Sequence, residues 1–265
     1  LSPNATLISD NYTRSVDLND FLEEAEWVLT KVKGEHGWMF MTNHLHNGNK
    51  VECPINYVVW SEMFICPICA NEESFWDMAV DMQSKSVLSE FACDSCNSIL
   101  KKKDLEPLFE SKNDLGARKV IRQIKSTPVL INYSFQGVRY DKRPDSDDIA
   151  LLSQIEDATI PNWYASFCMP EGEESRRNDD KGLTHTHHYF SKRNTWIMSS
   201  ILEIVKHCKH KRLLMGLLGS STSYSTKMIK VSIARVLEGG GLFSFGKVTG
   251  TLYTPSIYGE RSILD

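Results

Sequence analysis

The sequence predicts an α+β protein, and three observations carry that prediction. Apolar residues recur at helical spacing in two well-separated stretches: Leu18, Phe21, Leu22, Ala25, Leu29 and Val32, then Ile197, Ile201, Ile204, Val205 and Cys208. Between them lie aromatic and β-branched runs broken by the turn signals His46–Asn49 (HNGN) and Gln136-Gly137, which mark antiparallel hairpins. The regular strand-helix alternation of a doubly wound sheet is missing, so helices and hairpins are mixed.

Taken in order, Asp17 caps the first of these helices and Gly34 ends it. Trp38 to Ile65 reads as a hairpin that leads into a cysteine pair, and Phe75 to Val87 adds strand or loop. A short helix is expected near Leu115 to Ile124. Val129, Ile131, Tyr133 and Phe135 then alternate up to Gln136-Gly137, and Val138 and Tyr140 return as a second hairpin. Asp145 or Ser146 caps a helix carrying Ile149, Leu152 and Ile155, followed by an irregular stretch from Pro161 to Gly172. Ser191 is the expected N-cap of the second long helix. Another helix is expected near Met228 to Leu237, ending at the turn Gly239–Gly241, and the closing LFSFGKVTGTLYTPSI reads as strand. These elements divide the chain into segments 1–36, 37–106 and 107–265.

With 265 residues, 41% hydrophobic and 10% aromatic, the chain can bury a core. It has no apolar run of about 18 residues and so no expected membrane span. The opening lacks the features of a secretory signal and does not begin with Met, which fits a fragment or processed chain. The seven cysteines include two Cys-x-x-Cys pairs, a usage that suits metal binding in a reducing, cytoplasmic compartment better than a disulfide framework. The net charge of −4 argues against a globally basic nucleic-acid binder. It hides an acidic segment from Asp145 to Glu174 and a basic one from Arg176 to Arg212, which any polyanion would meet.

The strongest chemical signal is Cys66-Pro67-Ile68-Cys69 with Cys93-Asp94-Ser95-Cys96. Two such knuckles bring four thiolates onto one ion, the closed site of structural zinc, with no open position for activating water. Redox pairs or buried free thiols are the alternatives, and Cys53, Cys168 and Cys208 are expected in the core. The stretch THTHHYFSKRNTW offers His185, His187 and His188 as ligands of a second zinc or as a general base, although no carboxylate or nucleophile accompanies them at a known spacing. Lys192 and Arg193 follow the expected Ser191 cap, so they sit in the first helical turn, where cations are disfavoured unless an anion compensates them. A phosphate would do so, and a solvated basic turn is the bland alternative. Walker A, GxGxxG, kinase and HExxH motifs are all missing, and EGGGLFSFG lacks the Lys-Ser/Thr of a P-loop.

In their order, LSPNATLISDNY, the cysteine knuckles, PVLINYSFQGVRYDKRPDSDD, HTHHYFSKRN and GTLYTPSI resemble a family of bacterial, adenine-specific DNA methyltransferases that carry a large zinc-ribbon insert. The resemblance runs over nearly the whole chain. It implies that Leu1 to Tyr12 follows the second strand of an S-adenosylmethionine-binding fold, that segment 1–36 is the tail of that strand with a helix, and that Ser2 and Pro3 lie near the cofactor. It also implies a zinc ribbon in 37–106 and a target-recognition region in 107–265 that faces DNA with His187, His188, Lys192, Arg193 and Asn194. The family's Gly-rich cofactor turn and Pro-Pro-aromatic catalytic loop are not in this chain, so the expected protein is the recognition region, inactive alone and partnered by flanking methyltransferase halves. A stand-alone zinc-ribbon nucleic-acid binder and a His-rich zinc hydrolase or nuclease are the alternatives.

Overall fold

The strand Asn49–Ile65 is the spine of the molecule, with a β-branched and aromatic run from Tyr57 to Trp60 at its centre. In the computed structural model, which describes residues 2–239, 241, 245–247 and 250–264, this strand pairs with five others, more than any other strand among the described residues. Asn47 and Gly48 both take positive φ, 50° and 80°, giving the tight turn whose twist suits a hairpin. That turn folds Met41–His46 back along it in antiparallel register, with His46 opposite Asn49. The spine accepts Ser126–Phe135 along one edge and, over Val58 to Ser61, Ile257–Glu260 along the other. The resulting order is Val138–Lys142, Ser126–Phe135, Asn49–Ile65, Ile257–Glu260, Ile229–Val231, Phe245–Lys247, every pair antiparallel. The molecule is thus an α+β fold, as expected. Its sheet draws on both 37–106 and 107–265, so the long strand binds those two segments into one structure.

One core gathers Tyr57, Val59 and Phe64 of the spine with Phe75, Trp76, Val129 and Val236. A second lies between helices. Ala25, Val28 and Val32 of helix Leu18–His36 meet Ile197, Ile201 and Val205 of helix Lys192–Val205, with Ile155 and Leu214 beside them. Asp17 caps the first helix by accepting from the Asn19 and Asp20 N–H groups, and Asp145 caps Ser146–Asp157 in a capping box with Asp148. Leu18, Leu22 and Leu29, expected inward, are exposed, because packing selects the neighbouring stripe. Gly34 does not end the helix, which continues to His36.

Three further expectations are corrected. The segment near Leu115 to Ile124 is not helical: Phe109–Asp114 and Lys119–Ile124 form a hairpin. Ile121 and Gln123 are buried while Val120 and Arg122 are exposed, a two-residue period. Asp114 also accepts the Ala117 N–H at 2.9 Å, fixing a turn where a helix would have to start. The stretch near Met228 to Leu237 splits into strand Ile229–Val231 and the short helix Ile233–Leu237. Helices Pro3–Thr13 and Lys211–Thr222 were not anticipated, and the opening segment is therefore helix where the resemblance implied the tail of a strand. Leu1, Gly240, residues 242–244, residues 248–249 and Asp265 lie outside the described residues, and with them part of the expected glycine turn and closing strand.

The irregular middle of the chain is docked by backbone contact. Gly182 has φ +76°, and a Cβ there would lie 2.0 Å from the Arg122 carbonyl oxygen. Gly182→Ala is expected to cost roughly 2 kcal/mol or more, from left-handed strain and the displaced hairpin. Urea unfolding of the variant checks this; a midpoint equal to that of the parent would contradict it.

Candidate metal centre and the histidine segment

The two cysteine knuckles are built alike. Cys66 accepts the Ala70 N–H at 2.9 Å and donates its own to the Asn71 carbonyl; Cys93 accepts the Asn97 N–H at 2.8 Å and donates to the Ser98 carbonyl. Ala70 and Asn97 hold the same left-handed conformation, with φ 59° and 58°. Each turn therefore aims its two sulfurs the same way. Across the pair, Cys66 Sγ lies 3.8 Å from Cys96 Sγ, and Cys69 Sγ lies 3.7 Å from Cys93 Sγ. Disulfide sulfurs would be about 2 Å apart. A tetrahedron with metal-sulfur bonds of about 2.3 Å has sulfur-sulfur edges of about 3.8 Å, so the spacing fits zinc.

The electrostatics agree with that geometry. The Ser98 hydroxyl and N–H hold the Cys96 thiol down to about 6. At Cys69 the Asn71 N–H also lowers the value, but burial and the other three sulfurs outweigh it and push the thiol up to about 11. Four thiolates this close repel one another unless a cation sits among them. All four positions are sulfur, so a bound zinc would be structural. Of the other cysteines, Cys53 is buried and Cys208 half-buried, whereas Cys168 is exposed, contrary to its expected place in the core.

The histidine segment is organised by a residue far away in sequence, Asp114. His187 Nε2 lies 2.8 Å from Asp114 Oδ2, and His188 Nε2 lies 2.6 Å from the same oxygen. These three side chains bring ligand-type atoms within 4.8 Å of one another, the carboxylate that the sequence could not supply. The tautomer argues against a metal. His188 Nδ1 accepts the Thr184 and His185 N–H groups at 3.1 and 3.3 Å, so the ring proton is on Nε2 and is donated to Asp114. A ligating nitrogen needs that lone pair free, and a metal-bound imidazole normally donates from its other nitrogen. The cluster is built as a carboxylate solvated by imidazoles, and the His-rich zinc hydrolase reading loses a ligand.

The basic turn does meet an anion, and that anion belongs to the chain. Ser191 caps helix Lys192–Val205, accepting the Asn194 N–H at 3.3 Å. Arg193, only 3% exposed, donates from Nε and Nη2 to the two oxygens of Glu260 at 2.7 and 2.5 Å, and from Nη1 to the Met39 carbonyl at 3.0 Å. Its guanidinium lies over the Phe40 ring. Glu260, equally buried, also accepts from Trp60 Nε1. Burial works against ionising Glu260, and the Arg193 charge outweighs it, holding the carboxyl below its ordinary value. Asn194, fully buried, donates to the Arg261 carbonyl and accepts the Ile263 N–H. Lys192 Nζ donates to the Glu156 carbonyl at the end of helix Ser146–Asp157.

The expected DNA-facing set is thereby corrected. His188, Arg193 and Asn194 are buried and satisfied inside the protein, His187 is nearly so, and Lys192 is tied to a helix end. Ser2 and Pro3 are exposed on the first turn of helix Pro3–Thr13, where the Ser2 carbonyl accepts from the Thr6 N–H and hydroxyl. Asp114 and Glu260 were missed because a lone acid in a turn or strand carries no spacing signal that names a distant partner.

No protein-family model matches the sequence, and no curated protein or solved structure matches it significantly. Among the described residues no helix is long and apolar enough to cross a membrane.

Burial lowers His188 to about 4 against the partial opposition of Asp114. Asp114 is held at about 2: burial alone would raise it, but the Ala117 N–H and the two imidazoles prevail. Both values lie below the ordinary 6.5 and 3.8, so both groups stabilise the fold above those pH values and lose that contribution as pH falls. Stability is expected to drop by about 2–3 kcal/mol between pH 6.5 and 4, and His188→Gln is expected to flatten that slope. Chemical unfolding across this range, with zinc content followed in the same samples, checks it; a slope unchanged by the substitution would contradict it.

Proposed function

We propose that the chain is the zinc-stabilised DNA-recognition region of an S-adenosylmethionine-dependent DNA methyltransferase, adenine-specific by resemblance and inactive without its flanking halves. The observation that carries the reading is the four-sulfur centre, whose spacing suits a structural zinc ribbon of the kind the resemblance implies. Three of the other resembling segments support it by converging on one sheet: PVLINYSF is the strand beside the spine, Arg193 and Asn194 of the histidine box bind Glu260, Arg261 and Ile263, and GTLYTPSI leads into the strand that carries Glu260.

Under this reading zinc is structural and the chain's work is binding. Methylating a base requires extruding it from the duplex, and a separate module must hold the flanking strand. The cofactor would be held by the flanking halves, with the exposed Ser2 and Pro3 near its edge. The bacterial cytoplasm is the compartment in which such an enzyme would meet DNA.

The purified chain is expected to contain one zinc and to bind DNA with an affinity that falls steeply between 50 and 200 mM salt, as phosphate contacts require. Metal analysis with fluorescence anisotropy on labelled oligonucleotides checks both. A metal-free folded chain would defeat the zinc claim, and undetectable or salt-independent DNA binding would defeat the recognition claim.

A further inference from the structure

With Arg193 and Asn194 inside, a DNA-binding region needs another outward surface, and one lies on the far side of the histidine cluster. Trp163 and Phe167 are 59% and 64% exposed, with ring centroids 6.3 Å apart. Large aromatics are costly to leave in water, and a pair held together marks a contact surface. Beside them stands the turn between strands Phe109–Asp114 and Lys119–Ile124, which presents Leu115, Arg118 and Lys119 to solvent. Among the described residues neither Arg118 nor Lys119 has a carboxylate within salt-bridge distance, and Asp114 of the same hairpin is engaged by His187 and His188.

This surface is held rigidly. The Phe167 carbonyl accepts the Thr186 N–H at 2.9 Å, the Ala165 carbonyl accepts the Thr186 hydroxyl at 2.7 Å, and the Met169 N–H donates to the Thr184 carbonyl. Cys168 forms a bridge with His185, whose protonation is held down by burial and then by the neighbouring Lys119 charge. Gly116 packs so tightly that a Cβ would sit 2.9 Å from Tyr164 Oη and from Ser166 Cβ. Tyr164, between the two exposed rings in sequence, turns inward against His187. The Asp114–His187–His188 network therefore fastens the cationic turn to the aromatic segment.

The geometry points to a binding site for unpaired DNA, in which Trp163 and Phe167 stack on bases and Arg118 and Lys119 contact the adjoining phosphates. Paired aromatics suit bases with a free face, which a duplex does not offer, and unpaired cations suit the strand's charge. An apolar protein partner would use the rings and have no need of the two cations. This site rests on the DNA-recognition reading and gives it a specific surface.

The test uses the zinc-loaded chain and anisotropy with three fluorescein-labelled probes: single-stranded DNA, a duplex, and a duplex with a bulged unpaired tract. Trp163→Ala with Phe167→Ala is expected to weaken binding to the single strand and the bulged duplex by about tenfold or more, and to the plain duplex by less than about twofold. Arg118→Ala with Lys119→Ala is expected to weaken all three and lower the salt slope by between one and two. The four side chains are exposed, and circular dichroism verifies the fold of both variants. Unchanged binding to unpaired DNA in the aromatic variant would overturn this site while leaving the recognition reading intact. A parent chain that binds none of the three probes would overturn the recognition reading itself.

Discussion

The ion pair of Arg193 with Glu260 is the constraint on which the rest of the fold depends. Two charges removed from water cost several kcal/mol each, and the cost is met only where geometry is good and the remaining lone pairs and donors are used. Here both are. The guanidinium engages both carboxylate oxygens, a third N–H reaches Met39, and Trp60 supplies a further bond to Glu260. The pair joins the first turn of a core helix to a strand paired with the spine, and Asn194 extends the joint into the following loop. A second buried acid, Glu62, works in parallel by accepting from Lys181 at 2.5 Å and from the Ser256 hydroxyl. The C-terminal segment is thus sewn to the sheet by two carboxylates.

What the sequence made legible is local. Asp17 and Asp145 cap the helices they were expected to cap, Asn47-Gly48 and Gln136-Gly137 turn the hairpins with positive φ, and the four cysteines converge. Each of those features depends on a few neighbouring residues. The hairpin at Phe109–Ile124 was misread because Val120, Ile121 and Ile124 also fit a helical spacing, and only burial of Ile121 and Gln123 decides between the periods. Helix Lys211–Thr222 was missed because Gly216, Gly219 and a serine run lower its intrinsic helical preference. Its place is set by packing, with Leu214 in the helical core.

The candidate site shows the same division more sharply. Chemical reasoning about the helix N-terminus held: a cation pair in the first turn needs an anion. The identity of that anion was not legible, because Glu260 is 67 residues from Arg193 along the chain. The histidines likewise look like ligands until the backbone N–H groups on Nδ1 of His188 fix its ring proton on the nitrogen that faces Asp114. Histidine, arginine and asparagine side chains that commonly carry chemistry here carry structure, and the aromatics and cations beside them are the side chains left exposed.

The most direct test of this account is a double-mutant cycle on Arg193 and Glu260 by urea unfolding, with methionine replacing each. Arg193→Met alone leaves a buried carboxylate without its countercharge and should cost about 3–5 kcal/mol, whereas the double substitution should recover much of that loss. A coupling of this size places the pair at the structural centre. Additive effects, or an Arg193→Met chain as stable as the parent, would contradict the account and return that arginine to the surface.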